Sequence, residues 1–430
     1  MSTQNGVLFG VGAVRIFSGR ETVEDLLDIV ENVYPEMEGQ IAQTGMEPVC
    51  ELRLIGPVVD ELLAEKGEEF EATPALEALR ELLAERKMFA VSITGGPLKG
   101  GLSREQLIAR NGLPWTDEGK FASMRKGLHL LPHLHNGSVP YVFAQSLAGI
   151  MRRDIEGREA ELNPIIARNI ARVAAELYRL SEASEKGLVL GLDPTRGQSL
   201  MYANEVVDFW EDYLLTVGAE ALRESLGVGA EKGEEILRTH VMIREDAGHA
   251  RMCFADPVEH VRLYRQNGIG VCAINLGNSP RLEAPSENPG LEDFIAHYSD
   301  GAPILVQVQG RKAGWRGFVT EHLSDLREKP GLVDGLEELA IHDHLRLDQA
   351  QDPKFGFSHV QAEAMADFCG LCRFYRDQDI PMPPVYSHVI DYRDEQGERI
   401  SNSDREPLYE AILGQALFAS EQLQEQVAVG

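Results

Sequence analysis

The stretch MIREDAGHARMCFADP, Met242–Pro257, joins an apolar run to a carboxylate and then to a turn that contains glycine. The run from His240 to Glu245 predicts a buried β-strand, because it is short, apolar and bounded by turn residues. Asp246 follows directly, and His249 comes three residues after it. Two questions follow from this stretch: which sheet the strand joins, and what the acid and the imidazole do at its end.

The same alternation of short apolar runs and longer segments with helical periodicity continues along the chain in both directions. The runs predict eight main strands: Val7–Ile16, Val49–Ile55, Met88–Thr94, Leu188–Leu192, His240–Glu245, Ile269–Leu276, Leu339–Leu345 and Val385–Asp391. An extra strand is expected at Ile304–Gln309. Eight strands that alternate with helices indicate a parallel α/β fold.

Two helix starts carry recognisable signals. Asn163 and Pro164 predict the beginning of an amphipathic helix up to Lys186, since Pro suits the first helical turn. Ser358 and Gln361 have the spacing of a capping box, which predicts a helix that reaches Asp377.

We expect a (β/α)8 TIM barrel, as a single domain over residues 1–430 with insertions around 95–160 and 277–335. The length of 430 residues fits such a barrel, while a doubly wound open sheet is the competing architecture.

Composition narrows the range of possible partners and locations. The formal net charge of -28, from 69 acidic and 41 basic residues, disfavours nucleic acid and anionic membranes as partners. The five cysteines are odd in number and do not form a disulfide pattern. No secretory signal or bilayer-spanning stretch is evident, so a cytoplasmic protein with a small-molecule substrate is expected, and a homo-oligomer stays open.

Polar side chains gather where the predicted strands end, which is where the active site of a parallel barrel lies. They are Asp193, Asp246 with His249, Asn275, His342 with His344, and His388. Any one of them could be a satisfied polar residue, but five successive strands with this pattern favour a site. Carboxylates mixed with imidazoles suit Mn, Fe, Co or Zn.

Three blocks of sequence resemble a known family. They are FAVSITGGPLKGG (Phe89–Gly101), LGLDPTRGQSLMYANEVVDFWEDYLL (Leu190–Leu215) and EDAGHARMCFADPVEHVRLYRQNGIGVCAINL (Glu245–Leu276). In order and spacing they resemble the EboE-type metabolite-traffic proteins of the xylose-isomerase-like TIM-barrel superfamily. The later segments AIHDHL and YSHVIDY resemble the seventh and eighth strands of that family.

The resemblance implies a divalent metal held by residues of strands four, five, six and eight. Asp246 matches the Asp of the family and His249 its neighbouring His, while Asp193 stands where a Glu is usual. Asn275 stands where the EboE-type proteins have Gln, and His388 stands near the expected final Glu. These exchanges keep the capacity to bind a metal but change the reach and the charge of the site.

The leading hypothesis is a metal-dependent enzyme for a small metabolite that bears hydroxyl or carbonyl groups, with isomerase, epimerase, lyase or hydrolase chemistry, in specialised-metabolite biosynthesis. The expected metal ligands are Asp193, Asp246, Asn275, His342 and His388, and the expected acid–base residues are His249 and His344. The expected substrate contacts are Arg53, Lys99, Arg196 and Gln307. The alternative is a non-catalytic metabolite binder or carrier with a degenerate metal site.

Overall fold

A computed structural model describes most of the chain. The described residues are 8–12, 22–44, 46–67, 69–84, 88–94, 113–195, 197–299, 308–320, 322–341, 345–352, 354–388 and 405–429.

The main element is a sheet of eight parallel strands. These strands are β1 (Leu8–Gly12), β2 (Glu47–Ile55), β5 (Met88–Thr94), β6 (Val142–Leu147), β7 (Leu188–Asp193), β8 (Val241–Asp246), β9 (Gly270–Leu276) and β14 (Val385–His388). Their order across the sheet is β5-β2-β1-β14-β9-β8-β7-β6. Every described ladder between them is parallel, as the alternation in the sequence predicts.

This sheet curls. Its two edge strands, β5 and β6, approach each other with Cα atoms within 8 Å. No hydrogen-bonded ladder joins these two strands within the described residues. The protein is thus an α/β protein with a curled parallel sheet, and the closed barrel stays a prediction.

Helices lie between the strands along the chain. They are α1 (Val23–Asp28), α2 (Tyr34–Gln43), α3 (Gly56–Leu62), α4 (Pro74–Ala84), α5 (Lys120–Leu134), α6 (Arg152–Ile155), α7 (Glu159–Ser184), α8 (Ala203–Phe209), α9 (Ala219–Leu226), α10 (Ala230–His240), α11 (Ala247–Met252), α12 (Pro257–Gln266), α13 (Leu291–Ser299), α14 (Asp325–Glu328), α15 (Gln361–Asp377) and α16 (Arg405–Val429). A π-helical segment, Trp210–Gly218, joins α8 to α9. None of the described helices is long and apolar enough to cross a membrane.

Two helix starts differ from the sequence prediction. Helix α7 begins at Glu159, so Pro164 lies inside the helix rather than in its first turn. Helix α15 begins at Gln361, two residues later than a capping box of Ser358 and Gln361 predicts, and its N-cap Val360 makes no side-chain cap bond. Ser358 instead forms an isolated antiparallel bridge with Gln351. In both cases the signal predicted the helix but not the residue that starts it.

The strand count was right, but the membership of the sheet was wrong in two places. The run Val142–Leu147 was not predicted, and it is β6, an edge strand of the main sheet within the span expected as an insertion. The predicted seventh strand, Leu339–Leu345, corresponds to β13 (Glu338–Ile341), which belongs to a different sheet. Apolar alternation identifies a strand, but it does not identify the partner strand.

The second sheet is antiparallel and combines β13 with β10 (Arg281–Glu283), β11 (Val308–Lys312) and β12 (Trp315–Thr320). The order of its strands is β10-β13-β11-β12. Strand β11 overlaps the extra strand expected at Ile304–Gln309 at Val308 and Gln309, and residues 304–307 lie outside the described residues. A small separate core lies under this sheet, with Phe294 of α13 and Leu339 of β13 fully buried in it. The single domain with two insertions stays a prediction. A third sheet is the two-stranded hairpin of β3 (Leu63–Lys66) and β4 (Glu69–Ala72).

Candidate functional site

A buried ion pair lies at the carboxyl ends of strands β6, β7 and β8. Asp193, the last residue of β7, accepts hydrogen bonds at Oδ2 from Gln145 Nε2 of β6 at 2.8 Å and from a terminal nitrogen of Arg244 of β8 at 3.0 Å. The register explains this meeting, because Asp193 is paired with Leu147, two residues beyond Gln145 and on the same face. The carboxylate is therefore held from both neighbouring strands.

The Arg244 side chain extends this network across the interior of the curled sheet. Its Nε donates to the hydroxyl of Tyr386 of β14 at 3.0 Å, and its guanidinium carbon lies 5.1 Å from the centre of that ring. Arg244 is only 2% exposed. One guanidinium thus connects three strands, β7, β8 and β14, through groups that are all out of contact with solvent.

Asp193 is electrostatically unusual. Burial raises the pKa of its carboxyl group, and although Arg244 opposes this, the charge of Asp246 raises the pKa further. The second carboxylate oxygen, Oδ1, is buried and has no hydrogen-bond partner within the described part of the chain. Asp193 thus lies beside a second carboxylate, that of Asp246, and binds the guanidinium of Arg244.

Asp246 has a structural role that the sequence argument did not consider. It is the N-cap of α11, and its Oδ1 accepts a hydrogen bond from the main-chain N–H of His249 at 2.9 Å. An N-cap carboxylate bonds the amide two or three residues later, so capping alone accounts for the spacing of three between the two residues. The Asp-x-x-His pattern is explained locally, whatever else Asp246 does.

Asn275 faces the same interior. In the ladders its Cα is paired with Asp246 on one side and with Tyr386 on the other, and side chains of paired residues lie on one face. The side chain is fully buried. The structure therefore places three of the predicted ligands, Asp193, Asp246 and Asn275, on one face at the carboxyl ends of neighbouring strands.

His249, a predicted acid–base residue, is 3% exposed. Its Nε2 lies 3.6 Å from Cys253 Sγ, one helical turn further along α11. Burial raises the pKa of the Cys253 thiol well above its ordinary value. Cys253 is thus a neutral thiol rather than a thiolate nucleophile.

The side chains of seven predicted site residues lie outside the described part of the structure. His342, His344, Lys99, Arg196 and Gln307 lie outside the described residues. For Arg53 of β2 and His388 of β14 only the main chain is described, and the Cα of His388 is paired with Gly12 of β1. His388 thus lies at the same end of the sheet as Asp193, and the roles of all seven residues stay predictions.

The prediction that placed His342 and His344 needs correction. They were expected on a strand of the main sheet, with both side chains on the side of the active site. The preceding strand β13 instead runs antiparallel to β11 in the second sheet, so the argument from barrel geometry does not apply to either histidine.

The described residues offer part of a metal site. Among them, no three side chains of His, Cys, Asp or Glu are grouped so that they alone could hold a metal ion. Asp193 and Asp246 supply two carboxylates, and Asn275 supplies an amide oxygen. Oδ1 of Asp193, which has no partner among the described residues, and the neighbouring Asp246 carboxylate fit a cation, which would need a further ligand such as His388.

The sequence did not predict that Arg244, Gln145 and Tyr386 belong to the site. A usable signal was present in MIRED, where Arg244 comes two residues before Asp246 and therefore shares its face. An arginine inside an apolar strand whose neighbours are buried needs an acidic partner. Asp193 at the end of the preceding strand was a candidate for that partner.

A search of solved structures gives distant matches. A sugar phosphate isomerase/epimerase from Parabacteroides distasonis is 13% identical, with 64% of this chain and 77% of that chain covered and a TM-score of 0.32. The IOLI protein, whose structure has a bound zinc atom, is 10% identical, with 63% and 72% covered and a TM-score of 0.31. D-allulose 3-epimerase from Methylomonas sp. is 14% identical, with 64% and 76% covered and a TM-score of 0.31.

No protein-family model and no curated protein sequence matches this chain. The chain thus has a distant structural similarity to sugar isomerases and epimerases, and EboE-type membership stays a prediction. At such TM-scores the likeness is too weak to assign chemistry, so the site is interpreted from its own side chains.

Proposed function

We propose that this protein is a metal-dependent enzyme with a closed, xylose-isomerase-like barrel, acting on a small metabolite that bears hydroxyl or carbonyl groups. The observation that supports this most directly is the buried Oδ1 of Asp193, which has no hydrogen-bond partner in the described residues and lies beside a second carboxylate. The proposed reaction is an isomerisation, epimerisation, elimination or hydrolysis, in the biosynthesis of a specialised metabolite.

In this proposal hydrogen bonds fix the orientation of the Asp193 carboxylate. Arg244 and Gln145 both bind Oδ2 of Asp193, so Oδ1 is the oxygen left for a cation. Asp246 and Asn275 lie on the same face, and His388 and His342 would complete the ligand set. When bound, a divalent cation of the Mn, Fe, Co or Zn type polarises a substrate oxygen or lowers the pKa of a bound water.

Proton transfer is assigned to His249 and His344. The bond from the His249 main chain to Asp246 fixes this histidine within one turn of a proposed ligand. An imidazole has the ordinary pKa for proton transfer near neutral pH. Arg53, Lys99, Arg196 and Gln307 are the proposed substrate contacts.

The alternative is a non-catalytic binder or carrier of a metabolite, and Arg244 is the observation that favours it. Its guanidinium already binds Asp193, and a fixed positive charge competes with a metal for the same carboxylate. In this alternative Asp193 and Arg244 form a purely structural ion pair, and the metabolite binds without a cation.

The test is a comparison of two variants, Asp246→Asn and Asp256→Asn. Asp256 is the N-cap of α12, where its carboxylate accepts from the Val258 N–H, so both positions cap helices and both substitutions remove one charge. We expect elemental analysis to find metal in the wild type and in Asp256→Asn, and about tenfold weaker metal affinity in Asp246→Asn. Thermal-shift titrations with Mn, Co and Zn measure that affinity.

Two results would count against the enzyme. A wild-type protein that holds no metal and is not stabilised by any of these ions has no metal site. Equal metal affinity in the two variants places the metal elsewhere. Stabilisation by small metabolites in the absence of any response to metals would support the carrier.

A further inference from the structure

Helix α11 is followed by a residue that is unusual for its position. The main-chain N–H of Phe254 donates to the carbonyl of Arg251, and that of Ala255 donates to the carbonyl of Ala250, at 2.9 Å each. This is the pattern of a Schellman motif, in which the left-handed residue just past the helix is usually glycine. Here that residue is Phe254, with a φ of +56°. A side chain other than glycine costs free energy in this conformation, so contacts of the ring outside the helix are expected to offset it.

Three arginines of the second sheet contact Phe254. The guanidinium carbons of Arg281 of β10 and Arg311 of β11 lie 5.7 and 5.4 Å from the centre of its ring. Arg316 of β12 donates a hydrogen bond to its main-chain carbonyl oxygen. Arg281 and Arg311 also bind the two carboxylate oxygens of Glu338 of β13, at 2.8 and 2.5 Å, which fixes both guanidinium groups. All four strands of the second sheet thus take part in the contact with one residue.

The Phe254 ring packs against a small core between α11 and the second sheet. Met252, Cys253 and Ala340 of β13 are buried together, and Tyr202 and Phe254 pack against them. This core is separate from the larger cores of the main sheet and the second sheet. Because it is small, the two cation–π contacts to Phe254 form a large part of the attraction between α11 and the second sheet.

Helix α11 connects this contact to the proposed metal centre. The helix has six residues, a length of about 9 Å, and begins at Asp246, whose carboxylate accepts from the His249 amide. The ring of His249 lies 3.6 Å from the Sγ of Cys253 in the small core. On the side of the main body, Arg251 donates to Asp367 of α15 at 2.5 Å. Since so short a helix moves as one unit, a shift of its carboxyl end also shifts Asp246 and His249.

We propose that Phe254 is a positioning residue, through which the second sheet holds α11 and thereby fixes Asp246 and His249 at the strand ends. The contacts with the second sheet offset the free energy that the left-handed phenylalanine costs. Departures of this kind from local preference concentrate at functional sites. The inference rests on the proposed function, since Asp246 and His249 need exact placement only if they belong to that site.

Four variants test the proposal. Phe254→Gly removes the ring and suits the left-handed backbone, Phe254→Leu removes the π face alone, and Phe254→Tyr keeps that face. Glu185→Gly is the matched control, because Glu185 also ends a helix, α7, with a φ of +56°, and its side chain is exposed.

Three measurements are made on each variant. Amide hydrogen exchange in β11 and β12 is expected to be about tenfold faster in Phe254→Gly and Phe254→Leu, because the second sheet is held less firmly. The NMR shifts of the His249 ring are expected to move in the same two variants. Their affinity for Mn, Co or Zn, from thermal-shift titrations, should be about tenfold weaker. Phe254→Tyr and Glu185→Gly should match the wild type in all three measurements.

If Phe254 serves only to end the helix, Phe254→Gly should leave both the exchange and the His249 ring unchanged, as Glu185→Gly does, and the proposal is then wrong. It is also wrong if exchange becomes faster while the His249 shifts stay those of the wild type. A wild type that binds no metal, together with a His249 ring that moves in Phe254→Gly, supports the positioning role and refutes the metal centre alone. Should Phe254→Leu fail to fold, Phe254→Gly decides the question, because glycine suits this backbone.

Discussion

Replacement of Arg244 by methionine removes the positive charge that forms an ion pair with Asp193. The two groups are 3.0 Å apart, and their side chains are 2% and 8% exposed. Removing one member of such a buried pair costs about 3–5 kcal/mol, because the remaining charge is left uncompensated in a poorly solvated interior. We therefore expect Arg244→Met to lower the free energy of unfolding at pH 7 by about 3–5 kcal/mol.

The pH dependence separates the charge effect from lost packing. The pKa of Asp193 is already raised in the folded protein by burial, and without Arg244 it rises further. The folded variant then binds a proton that the unfolded chain releases above its ordinary pKa near 3.8, so stability increases as the pH is lowered. Urea unfolding at pH 7 and at pH 5 should show a smaller deficit at pH 5.

Two further variants complete this experiment. Arg223→Met removes an exposed pair, with side chains 55% and 63% exposed, and should change the stability by less than about 1 kcal/mol. Adding Asp193→Asn to Arg244→Met should restore part of the loss, since it removes the stranded charge. A deficit that is under 1 kcal/mol, or that is equal at both pH values and unchanged by Asp193→Asn, would refute this interpretation of the network.

Three other predictions concern separate parts of the molecule. Burial lowers the pKa of Lys120 from 10.5 to about 8, so the charged lysine destabilises the fold at pH 7. Lys120→Met should therefore raise the free energy of unfolding by ~1–3 kcal/mol at pH 7. Urea titrations above pH 10.5 should show no such increase. Burial disfavours the charged form of His260, but the Glu245 carboxylate 2.9 Å away outweighs it and raises the pKa. NMR titration should therefore find the pKa of His260 above 6.5 in the wild type and below 6.5 in Glu245→Gln. The stabilisation by the pair should be full below pH 6.5, and it should be lost as the pH rises through the raised pKa. In Gly187→Ala the new Cβ would lie 2.2 Å from a main-chain carbonyl oxygen, so chemical denaturation should show a loss of about 1–3 kcal/mol, whereas Gly39→Ala, with no atom within 4 Å, should show none.

Two of the main-sheet strands that were predicted correctly have an especially clear pattern. Leu188–Leu192 and Ile269–Leu276 are almost continuous apolar runs, typical of parallel strands that are buried on both faces. Strand β6 was not predicted. Gln145 interrupts its short apolar run, and that glutamine is part of the polar network. Local patterns fail most readily where a residue serves a site rather than the core.

The site could be predicted only in outline. That Asp193 and Asp246 would lie near each other followed from their places at the ends of neighbouring parallel strands. That Arg244 would bind Asp193 depends on the register between β7 and β8, which pairs Leu192 with Ile243. A strand sequence by itself does not state its register, so a charged side chain in it has no assigned partner until the sheet is known.

The capping bond of Asp246 bears on how this chain's relatives should be recognised. Since the carboxylate starts α11 through its hydrogen bond to the His249 amide, loss of Asp246 weakens the fold even in a protein that no longer turns over any substrate. Selection for a stable scaffold alone is then enough to retain the acid in descendants without activity. A search that relies on the Asp-x-x-His pattern would therefore also retrieve proteins that keep the acid only because it starts this helix.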